Sequence, residues 1–295
     1  MRRIRQNYLV ECFYGYAMIL PALLFILVFL FYPIIHSIFL SLQKTDWFNS
    51  YTFIGLENFR SLLESEDFWI TVKNTVLFTI ISVPVIVALS TVFAVLLNSK
   101  IKGMPLFRIC FLLPVVTISV ASTLVWKWIF NGDFGILNEL VKLLGFQPVY
   151  WISDERTAMI SLLVMVVWGS LGNNIIILIA GMQGIPKVYY EAAKLDGASS
   201  VDTFRKITLP LLSPTLFFII VTSLIRMLQI FDAPYMLIGS AKGFMYPLVG
   251  TVIYEYFFVS HDIGYGSAIV VMLFLWILLI TAVQFALEKF WVNYD

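Results

Sequence analysis

Arg226 limits the chemistry of this chain more than any other residue, because it stands inside a long apolar segment. That segment, 211–240, carries one other charged residue, Asp232. An arginine at the centre of a membrane helix costs roughly 2.5–3.5 kcal/mol on insertion scales, so its side chain should face protein or a water-filled cavity. Helical spacing places four residues on or beside the same side of the helix: Ser223, Met227, Gln229 and Ile230.

Two hypotheses account for Arg226. It lines a pore and hydrogen-bonds a polar solute, or it is structural and caps carbonyls or pairs with an acid on another helix. Asp232 lies six residues further on, so it points away from Arg226 unless Pro234 distorts the helix. The solute hypothesis requires other polar side chains nearby in the fold.

Such side chains occur in two other apolar segments. Asn173 and Asn174 follow small residues in the segment 157–182, and Ser119 lies in the segment 106–130. Each alone fits helix packing, since small residues and amides join helices in membranes and a hydroxyl can bond a carbonyl of its own helix. Together, the amides, the hydroxyls and the single cation suit a sugar-like solute better than an inorganic cation.

Other chemistries lack the residues they need. The chain has two histidines and two cysteines, and it shows neither a metal-ligand pattern nor a nucleophile with a neighbouring base. It also lacks the P-loop sequence that cradles a nucleotide. Uphill transport therefore needs an ion gradient or a separate ATPase, and the scarcity of acids in the spans favours the ATPase. We expect a non-catalytic subunit with no cofactor of its own.

The segments that carry these residues are predicted to span a membrane. The 295 residues are 60% hydrophobic and 13% charged, against about 25% charged in soluble proteins. Six segments reach or exceed the ~20 residues that a span needs: 16–40, 72–97, 106–130, 157–182, 211–240 and 264–285. Basic residues precede the first span and follow the second and fourth, so both termini are predicted to be cytoplasmic. The expected fold is an all-α, six-helix membrane domain over 16–295, after a cytoplasmic N-terminus, 1–15.

The stretch 183–214, between the fourth and fifth spans, is polar and helix-forming. Pro186 suits the first turn of a helix, and Gly197 can end it in the left-handed conformation. Ser199 with Asp202 resembles a capping box that opens a second short helix. One face of the first helix carries small or apolar side chains: Val188, Ala192 and Leu195. Two ordered helices exceed what a solvent loop requires, so this stretch is predicted to be a cytoplasmic docking element.

Three short strings in this stretch resemble the EAA loop of binding-protein-dependent ABC importer permeases: Glu191-Ala192-Ala193, Asp196-Gly197-Ala198 and Ile207-x-Leu209-Pro210. The string FIGLENF at 53–59 and the string DIGY at 262–265 resemble the carbohydrate-uptake, maltose-permease-like branch. The resemblance covers nearly the whole chain. The maltose permease itself carries extra N-terminal spans and a large periplasmic insertion that this sequence lacks.

The resemblance implies the type I ABC importer permease fold in a bacterial cytoplasmic membrane, with alternating access between the two sides. ATP and Mg would be used by a cytoplasmic ATPase dimer, and the other implied partners are a second homologous permease, an extracytoplasmic solute-binding protein and the lipid bilayer. Nucleic acid is not expected as a partner. The implied ATPase-coupling residues are Tyr190, Glu191, Ala192, Ala193, Leu195, Asp196, Gly197 and Ala198.

The implied cargo is a sugar or oligosaccharide. Positions that match the maltose permease, with their polar neighbours, give a predicted substrate pathway: Ser119, Asn173, Asn174, Ser223, Arg226, Met227, Gln229 and Ile230. Arg226 departs from that permease. A guanidinium pairs well with carboxylate or phosphate, so an acidic or phosphorylated sugar and a neutral sugar both stay open. The alternatives are an ion-coupled secondary carrier, an importer of a non-sugar polar solute and a structural scaffold.

Overall fold

The structure, a computed structural model, describes residues 2–45, 51–98, 104–239 and 248–293, which are predominantly helical. The helices are α1 (Arg2–Ile26), α2 (Tyr32–Ser41), α3 (Glu57–Glu64), α4 (Glu66–Leu97), α5 (Met104–Val116), α6 (Ser119–Ile129), α7 (Ile136–Leu143), α8 (Glu155–Gly184), α9 (Lys187–Leu195), α10 (Ser200–Thr203), α11 (Leu209–Leu211), α12 (Ser213–Leu228), α13 (Asp232–Ile238), α14 (Val249–Tyr254) and α15 (Ile263–Glu288). Wider, π-helical turns follow α1, α10 and α14 at Leu27–Phe31, Phe204–Thr208 and Glu255–Val259.

Four of the predicted spans are continuous helical segments. Over the described residues, the segments long and apolar enough to cross a bilayer are Phe13–Ser41, Glu66–Leu97, Thr157–Gly184 and Ile263–Glu288. The other two candidates are bent pairs: Ile109–Val116 with Ser119–Ile129 at 112°, and Ser200–Leu211 with Ser213–Leu228 at 66°. The described residues therefore contain four candidate membrane spans, or up to six when each bent pair is counted as one.

The two bent pairs correct the boundaries predicted for the third and fifth spans. The segment 106–130 is broken near Ile118, whose extended ψ of 131° ends α5. Pro114 lies just before this break and lacks the N–H that would continue the helical ladder. The second bent pair meets at Leu212, between α11 and α12. The segment 211–240 is broken again after Leu228, where α12 ends, and a new short helix begins at Asp232. Pro234 lies in the first turn of that helix, where a proline is tolerated.

The chain divides into two compact units, of which the first comprises Met1–Glu64 and Tyr256–Met272. Within it, β1 (Gln43–Thr45) and β2 (Tyr51–Phe53) form an antiparallel pair in which Gln43 lies opposite Phe53. Buried Asn58 donates hydrogen bonds to the carbonyls of Ser41 and Gln43, both at 2.9 Å. The Asn58 side chain thereby ties α3 to the end of α2 and the hairpin.

The second unit comprises Ser65–Glu255 and Leu273–Asp295, and its core lies between α4, α8 and α12. Large, fully buried side chains from all three helices fill it: Phe78, Ile86, Leu162, Leu178 and Ile219. Because lipid is as apolar as these side chains, the packing depends on close van der Waals contact rather than on escape from water. The buried hydroxyls of Thr75 and Thr79 donate to carbonyls four residues earlier, at 2.9 and 2.8 Å. Because both donors are satisfied, burying these hydroxyls costs little free energy.

Candidate functional site

A chamber of about 500 Å³ lies in the second unit and opens at its surface, where the α5–α6 corner and the end of α12 meet α8. The α5–α6 corner contributes Ser119, and the end of α12 contributes Arg226 and Met227. Gln229 and Ile230 line it from the break that follows. Each break exposes backbone and polar side chains that an unbroken span would bury, so the two breaks create the polar lining.

A second chamber of about 190 Å³ lies between α8 and α12, and it is lined by Asn173, Asn174, Ser223 and Arg226. Asn174 and Ser223 are buried, and the Asn174 amide donates to the Ser223 hydroxyl at 3.4 Å, which joins the two helices. Asn173 is only half-buried. The adjacent asparagines thus differ, with Asn174 joining the helices while Asn173 keeps polar surface towards the chamber.

Arg226 lines both chambers. It lies in the last turn of α12, not at the middle of a span as the sequence predicted, because the helix ends at Leu228. Its side chain is exposed in this single chain. The ion pairs in the described ranges are Arg60–Glu64, Lys142–Glu139 and Lys206–Asp202, so none of them uses Arg226.

The spacing in the sequence predicts that Asp232 points away from Arg226 unless the helix is distorted at Pro234. The helix is interrupted at 229–231, and Asp232 lines the same chamber as Arg226. Asp232 is exposed like Arg226. The lining therefore carries one cation and one carboxylate, whose formal charges balance. Pro234 was the sequence signal for this break.

An aromatic stack that the sequence analysis missed adjoins the chamber. Phe231 lines the cavity, and its ring stacks on Tyr235 at 5.3 Å and on Tyr254 at 5.2 Å between ring centroids. The two tyrosine rings lie 4.5 Å apart. These side chains come from the break, α13 and α14, and no regular spacing in the sequence links them. An aromatic edge beside hydroxyl, amide and charged groups can hold a solute that is apolar on one face and polar at its rim.

The predicted docking stretch folds into the two helices expected of it. α9 ends in a Schellman motif: Gly197, at φ +72°, donates to the Lys194 carbonyl at 3.2 Å, and Ala198 donates to the Ala193 carbonyl at 2.9 Å. At the start of α10, the Ser199 hydroxyl accepts from the Asp202 N–H at 3.1 Å. The same hydroxyl donates to the Asp202 carboxylate, and this bond, with the charge of Lys206, lowers the pKa of Asp202.

α9 touches the rest of the chain through one side only. Ala193 is buried, and the Tyr190 hydroxyl lies 3.2 Å from the Thr208 hydroxyl. The other predicted coupling residues are exposed: Glu191, Ala192, Leu195, Asp196, Gly197 and Ala198. Val188 and Leu195 expose 63% and 89% of their surface, so the apolar face of α9 is uncovered in the single chain.

The family is decided by the match between residues 74–292 and the binding-protein-dependent transport system inner membrane component. The chain belongs to this family. It is therefore a multi-pass inner-membrane permease of an importer, which confirms the predicted family, fold and location. The family supplies the membrane component of a transport system, which confirms the prediction of a translocation subunit whose ATPase is a separate chain.

Relatives of known name match the permease over nearly its full length. It is 33% identical to the trehalose/maltose transport system permease protein MalF of Thermococcus litoralis over 277 residues, which cover 94% of each chain. It is 31% identical to the sulfoquinovosyl glycerol transport system permease protein SmoG of Agrobacterium fabrum, covering 89% of this chain and 86% of that protein. A chain of a crystallised bacterial alginate ABC transporter has the same fold, with a TM-score of 0.85, 21% identity and coverage of 98% and 96%.

Proposed function

We propose that this permease carries a sugar or oligosaccharide through the two chambers around Arg226. The observation that supports this most directly is that Arg226 borders both chambers, with hydroxyl and amide groups on either side of it. A sugar offers many hydroxyls that both donate and accept, and such a lining can exchange hydrogen bonds with them without binding any one tightly. The two relatives above are named for a disaccharide and for a sugar glycoside, which supports the same class of cargo.

The larger chamber offers groups for a neutral saccharide as well as for an acidic one. Arg226 alone would attract a carboxylate or phosphate, but Asp232 lines the same cavity and repels a second anion. With both residues in the lining, Arg226 supplies hydrogen-bond donors and Asp232 supplies acceptors to the hydroxyls of a sugar. Phe231 adds a ring face or edge against which the apolar face of a pyranose can pack.

The chain supplies half of the pathway in this proposal, and a second homologous permease supplies the other half. Arg226 and Asp232 are both exposed in the single chain, so the larger chamber opens at its surface. A charged opening of this kind is costly against lipid, because charged groups in the hydrocarbon must find protein or water. A partner with a complementary polar face would close it.

The conformational change driven by ATP would be transmitted from the ATPases to the substrate pathway through α9. The exposed apolar face of α9 would sit in a cleft of the ATPase dimer, and the Schellman turn at Gly197 fixes its direction relative to α10. Closure of the ATPases on ATP and Mg would then move α9, and the spans would rock to alternate access. In this proposal α9 and both termini lie in the cytoplasm, and the solute-binding protein docks on the opposite side.

The test is reconstitution with partner subunits encoded beside this chain. Tagged permease should co-purify with an ATPase and a second permease, and saccharide-loaded binding protein should stimulate ATP hydrolysis and uptake in proteoliposomes. Uptake that follows an ion gradient in the absence of ATP would instead support the secondary carrier. If only a binding protein loaded with a non-carbohydrate solute stimulated ATP hydrolysis and uptake, the protein would still be an importer permease, but its cargo would not be a sugar.

A further inference from the structure

Helix α7 has three chemically different sides. At about 100° per residue, one side carries Leu137, Asn138 and Val141, and these residues are buried or half-buried. A second side carries the exposed ion pair between Lys142 and Glu139, at 2.9 Å. The third side is apolar and uncovered: Ile136, Leu140, Leu143 and Leu144 expose between 50% and 83% of their surface.

The rotation of α7 about its own axis is fixed by Asn138, which is fully buried. Its amide donates to the carbonyls of Gly132, at 2.6 Å, and Val149, at 2.9 Å. Its carbonyl accepts from the Val149 N–H at 3.1 Å and from the Trp151 indole N–H at 2.9 Å. Both donors and both acceptor positions are used, so α7 cannot roll its apolar side inward without breaking four hydrogen bonds.

The same hydrogen bonds set the level of α7 relative to the membrane. Trp151, which Asn138 holds, accepts a hydrogen bond from Ser161 at 2.9 Å through its carbonyl. Ser161 lies in the second turn of the span Thr157–Gly184. α7 is therefore attached beside the end of a membrane-crossing helix. Tyr150 and Trp128 nearby are more than half exposed, and such side chains prefer the membrane–water boundary.

We propose that α7 is an interfacial helix that lies along the membrane surface, with its uncovered apolar side in the acyl chains of the bilayer. Its three sides then match three environments: protein on the Asn138 side, water on the Glu139–Lys142 side and lipid on the Leu143 side. Phe146, 69% exposed just beyond Gly145, extends the apolar side. The bilayer is the occupant because the uncovered side offers no hydrogen-bonding side chain and α7 is attached beside the end of the span Thr157–Gly184.

A depth-sensitive fluorophore on α7 of the full chain tests this proposal. In a Cys12→Ser, Cys110→Ser background, Leu143→Cys would be labelled with NBD and reconstituted in phosphatidylethanolamine–phosphatidylglycerol vesicles. Glu139→Cys is the matched control on the charged side of the same helix. Lipids brominated near the headgroup should quench the label at 143 at least twofold more than at 139, and aqueous iodide should show the opposite order.

Two outcomes would overturn the proposal. Equal iodide quenching at 143 and 139, without quenching by brominated lipid, would mean that the apolar side faces water. Protection of 143 from both quenchers would mean that protein covers it, as expected for an adjoining subunit or a second copy. Phe146→Cys repeats the measurement outside the helix, so a folding defect in one variant does not decide the result.

Discussion

At the scale of single residues, Arg226 shows how one charge is accommodated in an apolar chain. The side chain sits where α12 ends, lines two chambers and shares the larger one with Asp232. A charge at a helix end beside a cavity keeps access to water, which avoids much of the cost of a charge in the middle of a span. None of the ion pairs among the described residues uses Arg226, and the role of its side chain in binding solute stays a prediction.

Arg226→Ala should lower the rate of sugar transport while leaving the complex in the membrane. A hydrogen bond to a charged group is worth about 1.5–3 kcal/mol, which corresponds to roughly a 10- to 150-fold loss of transport. Uptake of labelled saccharide into proteoliposomes and the yield of assembled complex would both be measured. Loss of the complex from the membrane would show that Arg226 is structural.

Asp232→Asn tests the charge balance of the chamber separately. Removing the carboxylate leaves Arg226 as the one charge among the described lining residues. Uptake of an acidic saccharide should then rise relative to that of a neutral one, by about tenfold if the repulsion is worth about 1.4 kcal/mol. If the ratio of acidic to neutral saccharide uptake were unchanged and the neutral saccharide were still taken up, Asp232 would have no role in selecting the cargo. The importer function itself would not be contradicted.

At the scale of elements, alanine substitutions at two glycines of α8 are expected to have different effects on stability. A Cβ at Gly172 would overlap the Phe111 carbonyl oxygen, because α5 packs directly on that position, whereas a Cβ at Gly169 meets nothing within 4 Å. Gly172→Ala should therefore lower stability by about 1–3 kcal/mol, and Gly169→Ala should leave it almost unchanged. Thermal denaturation followed by size-exclusion chromatography compares the two. Equal midpoints would mean that α5 moves away at no cost.

How far the sequence predicted the elements depended on whether a local signal marked their ends. The end of α9 was predictable, because Gly197, directly after Asp196, can adopt the left-handed conformation that ends a helix. The ends of α5 and α12 could not be located from the sequence, because Pro114 lies within α5 rather than at its end and Pro234 lies beyond the end of α12. The polar chamber residues could be named from their type, while Phe231 and Tyr254 meet only through tertiary packing.

Substitutions at the Gly197 turn are expected to disrupt coupling between the ATPase and transport without unfolding the permease. Aspartate tolerates the left-handed conformation of Gly197 better than most residues, so Gly197→Asp should keep the turn but add a charge to the exposed docking face. Transport should fall at least about tenfold, equivalent to about 1.4 kcal/mol of barrier, while the subunit stays in the membrane. Gly197→Asn is the matched control, with a similar shape and no charge. Glu191→Lys should uncouple in the same way, and normal pumping by the charged variants would contradict the coupling role.

At the scale of the whole molecule, the distribution of charge predicts which side of the membrane each end faces. Lysines and arginines cluster before the first span and in the two connections that follow the second and fourth spans, so those segments should stay in the cytoplasm. In a Cys12→Ser, Cys110→Ser background, Lys194→Cys in α9 and Glu64→Cys in α3 report opposite sides. Both native side chains are exposed, so reagent access is not limited by packing. A membrane-impermeant maleimide should label position 64 in intact spheroplasts and position 194 only after the membrane is disrupted. The reverse pattern would invert the orientation and place α9 where no ATPase could reach it.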